Sequence, residues 1–215
     1  MMHTRLQYIS QGKTVQEQTE NIQSALDAGC RWIQLRFKNA AIYELSDLAV
    51  KGKKMCSAYG ATFIMNDRVD IAKKTDADGV HLGLLDTSIA EARSTLGENK
   101  IIGGTANTIS DVQMRISEGC DYIGLGPFRF TVTKEKLSPV LGLDGIALIM
   151  KEVLSGVIQI PIYAIGGITP DDVATIMETG VFGIAVSGVL TTHPAKKELI
   201  QNFNLLLHEK IDYRR

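Results

Sequence analysis

The sequence has little of what marks several protein classes. Its 215 residues include only three cysteines, and these are not closely spaced, which argues against a disulfide framework or a zinc site. Cys30 and Cys120 each follow a glycine at the end of a helical pattern, so we expect both to serve in packing. No apolar run reaches the ~18 residues of a membrane-spanning helix, and the N-terminus lacks the charged-then-apolar order of a signal peptide. We therefore expect a cytoplasmic protein.

An excess of charge of one sign is also lacking. The formal net charge is −1, so no global attraction to nucleic acid or to an anionic membrane is expected, and any recognition of anions must be local. Apolar residues make up 45% of the chain, which is ordinary for a globular protein, and the length is sufficient for one complete core. Barrels of alternating strands and helices often form a single domain of this size.

Short apolar segments alternate with helical patterns along the chain. We predict strands at RLQYIS, RWIQLRF, TFIMND, GVHLG, IIGGTA, YIGLGPF, PIYAIGG and GIAVSG. Amphipathic stretches such as QTENIQSALDAG and TPDDVATIMETG lie between them, and AKKELIQNFNLLLHEK is the last predicted helix. Strict alternation implies a parallel sheet, so eight such units predict one (β/α)8 TIM barrel over residues 1–215. An open doubly wound sheet is the alternative, although its Gly-x-Gly-x-x-Gly motif does not follow the first strand.

Acidic residues follow two neighbouring strands at the end where such barrels carry their active sites. Asp67 follows the third strand and Asp86 the fourth, and adjacent strands lie ~4.8 Å apart. Carboxylates this close repel each other unless a cation or a proton lies between them. Mg²⁺ commonly uses one or two carboxylates together with substrate phosphates. We therefore predict a magnesium site; the alternative is that each aspartate only caps a helix.

The segment WIQLRFKN, in the second strand, places three polar side chains on one face. Gln34, Arg36 and Lys38 are spaced by two and therefore point the same way, while the residues between them are apolar. Three cations would surround a polyanion: Arg36, Lys38 and, from the loop after the sixth strand, Lys134. A metal would offset the remaining charge of that polyanion. Burying three such cations without a partner would cost several kcal/mol each, so a bound anion is indicated.

Two further features indicate a phosphate group. Small residues end the seventh strand, in YAIGG, and the eighth, at Ser187-Gly188. Backbone N–H groups approach a monophosphate at this position in phosphate-binding barrels, although the glycines would also suit tight turns alone. Thr131, Thr133 and Lys134 lie in a long loop without helical periodicity, and such a loop in a compact barrel is often a functional lid.

The histidines are weaker candidates. His81 lies within the fourth predicted strand, where we expect a packed, hydrogen-bonded imidazole. The other three histidines occupy terminal or surface-like contexts. No protein nucleophile stands out.

Taken in order, the motifs QLR-x-K, ND, GVHLG followed by Asp, DYIGLGP, T-x-TK, IGGI and AVSG resemble those of the thiamine phosphate synthase family over nearly the whole chain. The resemblance implies a transferase that joins a hydroxymethylpyrimidine pyrophosphate to a thiazole carboxylate or thiazole phosphate, releasing pyrophosphate and, where present, CO₂. It assigns the pyrimidine and its pyrophosphate to Gln34, Arg36, Lys38, Asn66 and Lys134, Mg²⁺ to Asp67 and Asp86, and the thiazole phosphate to Thr131, Thr133, Gly167, Ser187 and Gly188. It places Thr105 beside the pyrimidine and gives Arg36, Thr105 and Lys134 catalytic roles.

Some positions depart from the family pattern. Leu84 replaces the usual Gln after HLG, and Arg129-Phe130 replaces the usual aromatic-Pro of the lid. Thr105-Ala106-Asn107 replaces the usual Ser-x-His of the fifth strand, and Thr105 retains the hydroxyl. A related thiazole tautomerase and a ligand-binding relative without turnover are the rival readings. In the tautomerase the acidic pair and the T-x-TK loop tend to be lost, so the synthase is favoured. Small phosphorylated substrates are the expected partners, and a homodimer is left open.

Overall fold

Eight parallel strands close into a barrel in the computed structural model, which describes residues 4–130, 139–156 and 160–208. The strands are β1 Leu6–Ile9, β2 Trp32–Leu35, β3 Thr62–Asn66, β4 Gly79–Leu82, β5 Ile101–Ala106, β6 Tyr122–Leu125, β7 Ile162–Ile165 and β8 Gly183–Val186. Their order around the barrel follows the chain, and β8 pairs with β1. The predicted TIM barrel is confirmed, and the open doubly wound sheet is wrong.

Helices follow every strand within the described residues. They are α1 Val15–Asp27, α2 Ile42–Ala58, α3 Val69–Lys74, α4 Ile89–Leu96, α5 Ile109–Ser117, α6 Gly142–Ser155, α7 Pro170–Glu178, α8 Gly188–Thr192 and α9 Lys196–His208. Thr14, Ser88 and Thr108 each accept a hydrogen bond from the N–H three residues on, which sets where α1, α4 and α5 begin. In the described ranges no helix combines the length and the apolar character needed to cross a membrane.

Apolar side chains form two layers. The larger lies between the barrel and its helices, and outward-facing strand residues such as Ile33 and Leu35 are buried in it. The smaller fills the lower barrel interior with Trp32, Ile64, Ile101, Tyr122 and Tyr163. The Trp32 ring lies 5.0 Å from that of Tyr122 and 5.1 Å from that of Tyr163, edge to face. The three cysteines are buried and free, as expected for Cys30 and Cys120.

Glycine in β5 makes room for this aromatic layer. A Cβ at Gly103 would lie 2.2 Å from Cζ of Tyr122, closer than any real contact. The interior is therefore filled by rings at the amino ends of the strands, which form the floor of the barrel. The carboxyl ends, which form the mouth, are left to polar side chains.

Strand β2 is shorter than the sequence predicts, because it ends at Leu35 and not at Phe37. Side chains take over the backbone hydrogen bonds of Arg36 at this point. Its N–H donates to Ser10 Oγ at 3.1 Å, and its carbonyl accepts from Gln18 Nε2 at 3.0 Å. The second strand thus leaves the sheet at the residue whose cation the sequence places at the site.

Candidate active site

The acidic pair predicted from sequence lies at the mouth, where β3 and β4 end. Asp67 has a left-handed backbone, with φ of 62°, and its N–H donates to the carbonyl of His81 at 2.9 Å. Asp86 accepts a 2.6 Å hydrogen bond at Oδ2 from the N–H of Gly83. The helix-capping alternative is wrong, because the residues at the N-caps of α3 and α4 are Arg68 and Ser88.

The two carboxyl groups contact each other, and this shows in the ionisation of Asp67. Burial, and after it the hydrogen bond and the charge of Asp86, raise the pKa of Asp67 to about 6. The nearby cations of Lys38 and Arg36 lower the pKa but do not outweigh these effects. At neutral pH two carboxylates therefore face each other at the mouth with too little positive charge beside them.

This pair fits a hard divalent cation that is completed by other ligands. In the part of the chain that the structure describes, no group of three or more His, Cys, Asp or Glu side chains is placed to hold a metal. Two carboxylates suit Mg²⁺, which retains waters and is commonly bound through substrate phosphates. Asp67 and Asp86 are the residues that would hold it.

Cations from the second strand lie beside the acidic pair. Lys38 Nζ is 3.6 Å from Asp67 Oδ2, and the lysine side chain remains 54% exposed. Arg36 acts electrostatically on the same carboxyl group. A loose, half-exposed ion pair of this kind contributes little to folding. The lysine can therefore turn to a ligand at small cost.

Two buried amides lie on the inner face of the barrel below these charges. Gln34 is 2% and Asn66 9% exposed, and Gln34 Nε2 donates to Asn66 Oδ1 at 2.8 Å. Gln34 Oε1 is buried and has no hydrogen-bond partner among the described residues. A buried acceptor left in this state costs about 1–3 kcal/mol. A ligand with an N–H group, such as an aminopyrimidine, would satisfy it.

His81 and Thr105 form a buried hydrogen-bonded chain with Tyr122. Nδ1 of His81 lies 3.0 Å from the Tyr122 hydroxyl, and Nε2 lies 3.0 Å from Thr105 Oγ1. Gln7 Nε2 donates to the same tyrosine hydroxyl at 3.3 Å. The packed, hydrogen-bonded imidazole that the sequence predicts for His81 is confirmed. The contact fixes the Thr105 hydroxyl at the mouth end of β5.

The glycine-rich turns of β7 and β8 lie on the other side of the mouth. Gly166 and Gly167 both have left-handed backbones, with φ of 104° and 70°. Ser187 donates to the carbonyl of Ile9 at 2.7 Å. The short helix α8 begins at the next residue, Gly188. The sequence reading missed α8 as a separate helix. A short extra helix at this position is typical of phosphate-binding barrels.

The residues predicted for the site divide into two groups in the structure. Gln34, Arg36, Lys38, Asn66, Asp67, Asp86 and Thr105 lie at the carboxyl ends of β2–β5, and Gly167, Ser187 and Gly188 lie at those of β7 and β8. Thr131, Thr133 and Lys134 lie outside the described residues. Sequence reasoning missed Ser10 and Gln18, whose side chains hold the Arg36 backbone, because polar residues on separate elements give no local signal.

Comparison with known proteins gives the family. A sequence model of the family described as thiamine monophosphate synthase matches residues 6–190. The chain belongs to this family. It is 58% identical over 203 residues to the thiamine-phosphate synthase of Flavobacterium psychrophilum, covering 94% of this chain and 98% of that one. The corresponding protein of Flavobacterium johnsoniae is 54% identical, with 98% and 99% covered. Among solved structures, thiamine phosphate pyrophosphorylase from Pyrococcus furiosus superimposes with a TM-score of 0.82 at 30% identity, covering 95% and 96% of the two chains.

Positions that depart from the expected family pattern have defined contacts here. Arg129 donates from Nη1 to the carbonyl of Gly167 at 2.8 Å and forms two hydrogen bonds, at 2.6 and 2.5 Å, with the carboxylate of Asp172 on α7. Asn107 donates to the carbonyl of Gly126. Leu84, which replaces the usual Gln, is 37% exposed in the turn that carries Asp86. In this family member, Arg129 therefore joins the loop after β6 to the glycine turn after β7.

Proposed function

We propose that this chain is a thiamine phosphate synthase. It would transfer the pyrimidinylmethyl group of a hydroxymethylpyrimidine pyrophosphate to a thiazole phosphate or its carboxylate, giving thiamine phosphate and pyrophosphate. The observation that carries the proposal is the acidic pair of Asp67 and Asp86 beside Arg36 and Lys38, in a barrel of this family. This arrangement suits a pyrophosphate that leaves with a divalent cation.

The proposed reaction exchanges one bond for another. The C–O bond between the pyrimidine methylene carbon and the pyrophosphate breaks, and its electron pair leaves with the pyrophosphate. The pyrimidine amino group stabilises the resulting cation. The thiazole nitrogen then forms the C–N bond, and CO₂ also leaves when a carboxylate is present. No protein nucleophile is required, so catalysis consists of positioning and charge stabilisation.

The residues of this chain divide those two tasks. Arg36, Lys38 and Lys134 would contact the departing pyrophosphate and offset its charge. Mg²⁺, held by Asp67 and Asp86, would supply further positive charge when bound.

The substrate rings and the second phosphate would be held by the remaining groups. Gln34 and Asn66 would hold the pyrimidine from below, and Thr105 would lie beside it. Thr131, Thr133, Gly167, Ser187 and Gly188 would hold the thiazole phosphate. Magnesium binding and formation of a homodimer stay predictions.

A coupled assay with both substrates and Mg²⁺ tests the proposal. We expect thiamine phosphate and pyrophosphate in equal amounts, and loss of turnover in EDTA that Mg²⁺ restores. Isomerisation of the thiazole without coupling would contradict the proposal and indicate a tautomerase. Binding of both substrates without turnover would make the chain a ligand-binding relative.

Arg36→Met tests the charge argument within the same experiment. Loss of one fixed cation at the leaving group should lower kcat by about 10²–10³-fold. Arg31→Met is the matched control, because Arg31 lies just before the same strand at the floor, where it donates to the carbonyls of Leu26 and Cys30. It should leave kcat unchanged. Equal losses in the two variants would refute the placement of Arg36.

A further inference from the structure

Arg115 is a buried arginine on α5 that the proposed reaction does not use. It is 3% exposed, and within the described residues it forms one ion pair, a 2.9 Å contact from Nη1 to Glu118 one turn later. Its other hydrogen bonds among the described residues are to backbone carbonyls. Nε donates to Thr105 at 3.2 Å, and Nη2 donates to Gly83 at 2.8 Å. One guanidinium thus reaches the carboxyl ends of two neighbouring strands, β4 and β5.

The chain makes room for this arginine at Gly104 in β5. A Cβ there would lie 2.7 Å from Cδ and 2.8 Å from Nε of Arg115. The arginine stem therefore crosses β5 directly against the backbone. Burying a guanidinium is expensive unless its donors are satisfied, and here each of its three nitrogens donates a hydrogen bond, to Thr105, Glu118 and Gly83.

Gly83 connects the hydrogen bonds of Arg115 to the acidic pair. Its N–H donates to Asp86 Oδ2 at 2.6 Å, and its carbonyl accepts from the Asp86 N–H at 3.4 Å. Both the side chain and the backbone of Asp86 are therefore attached to Gly83, whose carbonyl Arg115 holds. Asp86 itself is exposed at the mouth.

We propose that Arg115 is a positioning residue that holds the Asp86 carboxylate in place for metal binding, acting through Gly83. It also holds the carbonyl of Thr105, the residue placed beside the pyrimidine. The inference rests on the proposed function, since it assumes that Asp67 and Asp86 hold a divalent cation. Partners that orient metal ligands in this way change metal affinity by about 10–100-fold when they are removed.

Arg93 on α4 provides a matched control. It also donates to backbone carbonyls, including that of Lys100, and it pairs with Asp121 at 2.6 Å. All of these contacts lie at the floor of the barrel. Arg93 is partly buried, with its side chain 17% exposed. If the hydrogen bonds of both arginines had only a structural role, removing either guanidinium would lower stability and leave metal binding unchanged. A positioning role predicts an effect on metal binding for Arg115 alone.

The experiment measures Mn²⁺ binding by equilibrium dialysis in the presence of inorganic pyrophosphate, together with thermal unfolding, for the wild type, Arg115→Gln and Arg93→Gln. Both variants should unfold at lower temperature. Only Arg115→Gln should lose Mn²⁺ affinity, by about 10-fold or more, and excess Mg²⁺ should restore much of its turnover. Equal Mn²⁺ affinity in the wild type and Arg115→Gln would overturn the proposal.

Gly83→Ala provides a second variant if Arg115→Gln does not fold. Its Cβ would lie 2.7 Å from Asp86 Oδ2, so the carboxylate must move, and the same loss of Mn²⁺ affinity is expected. Unchanged affinity in this variant would overturn the role of Gly83 as the connection. A wild type that retains no Mn²⁺ refutes the metal site and this inference together. A wild type that binds Mn²⁺ as tightly as the variants do refutes the positioning role alone.

Discussion

Carboxylates occur at both ends of this barrel, and their surroundings differ. At the floor, Asp78 pairs with Lys53 at 2.5 Å and accepts the N–H of Phe63 at 2.8 Å. Asp121 pairs with Arg93 at 2.6 Å and accepts a backbone N–H at 2.7 Å. Each of these carboxylates has both a cation and an amide of the chain itself. Their hydrogen bonds connect strand starts to helices, and they contribute to the stability of the fold.

At the mouth, two carboxyl groups contact each other. Lys38 approaches Asp67 only to 3.6 Å and is half-exposed, and the pKa of Asp67 is raised to about 6, first by burial and then by Asp86. A raised carboxyl pKa means that ionisation is less favourable in the folded state than in the unfolded state. The carboxylates at the floor are thus neutralised by cations of the chain itself. The acidic pair at the mouth has too little positive charge beside it, and a bound cation, which could also bind a polyanion, would supply that charge.

The largest expected effect comes from removing the mouth charge. Asp67→Asn should lower synthase turnover by about 10³-fold, because a ligand to the cation is lost. The same variant should be more stable than the wild type at neutral pH in the absence of metal, by about 1–2 kcal/mol, because a neutral side chain removes the cost of burying the charge and the repulsion by Asp86. Turnover and the midpoint of thermal unfolding are the measurements.

Asp78→Asn at the floor is the contrasting variant. It loses the pairing with Lys53 and should be less stable by about 1 kcal/mol, with turnover unchanged. If both variants were destabilised to the same extent, the distinction between floor and mouth would be wrong.

The dependence on pH sharpens the comparison. The pKa of Asp67 is higher in the folded state than its ordinary value of 3.8. The stability that this shift contributes is therefore present at about pH 4 and is lost as pH rises through about 6. The stabilisation by Asp67→Asn should vanish at the acid end of that window. It should be complete above the window.

Metal affinity should change in the opposite direction over the same pH range, because it should increase as pH rises from about 4 to about 6. Because protons compete with the cation for the pair, the Mg²⁺ concentration at half-maximal rate should rise by up to about 10-fold for each pH unit below 6. Rate measurements at several Mg²⁺ concentrations and pH values check this. A requirement for Mg²⁺ that does not change with pH would contradict the assignment of the metal to Asp67 and Asp86.

A smaller effect is expected at the ion pair of Arg129 and Asp172, where two charges at the mouth neutralise each other. The Arg129 guanidinium lowers the pKa of Asp172 to about 2, so the stability from this pair is lost only as pH falls from about 4 toward 2. Arg129→Gln should raise KM for the thiazole phosphate by about 3–10-fold, because the turn at Gly167 loses a hydrogen bond, with kcat nearly unchanged. KM for the pyrimidine pyrophosphate is the internal control. A change in both KM values would indicate a general disturbance of the mouth.

Much of this site follows from local patterns. A spacing of two puts Gln34, Arg36 and Lys38 on one face, and parallel strands bring their carboxyl ends to one edge. The sequence therefore predicts that Asp67 and Asp86 lie close together. The limit of such reasoning shows at Arg36, where the strand ends early because Ser10 and Gln18 take over its backbone hydrogen bonds.

The sequence by itself determined the eightfold alternation, the direction of the strands and the residues at their carboxyl ends, because these depend on short-range periodicity and on chain order. Only the tertiary structure decided which carboxyl group holds the raised pKa and that Arg115 is buried against Gly104. It also decided that Gln34 keeps an unsatisfied acceptor below the mouth. These properties depend on desolvation and on contacts between residues far apart in the chain, and no local pattern contains that information.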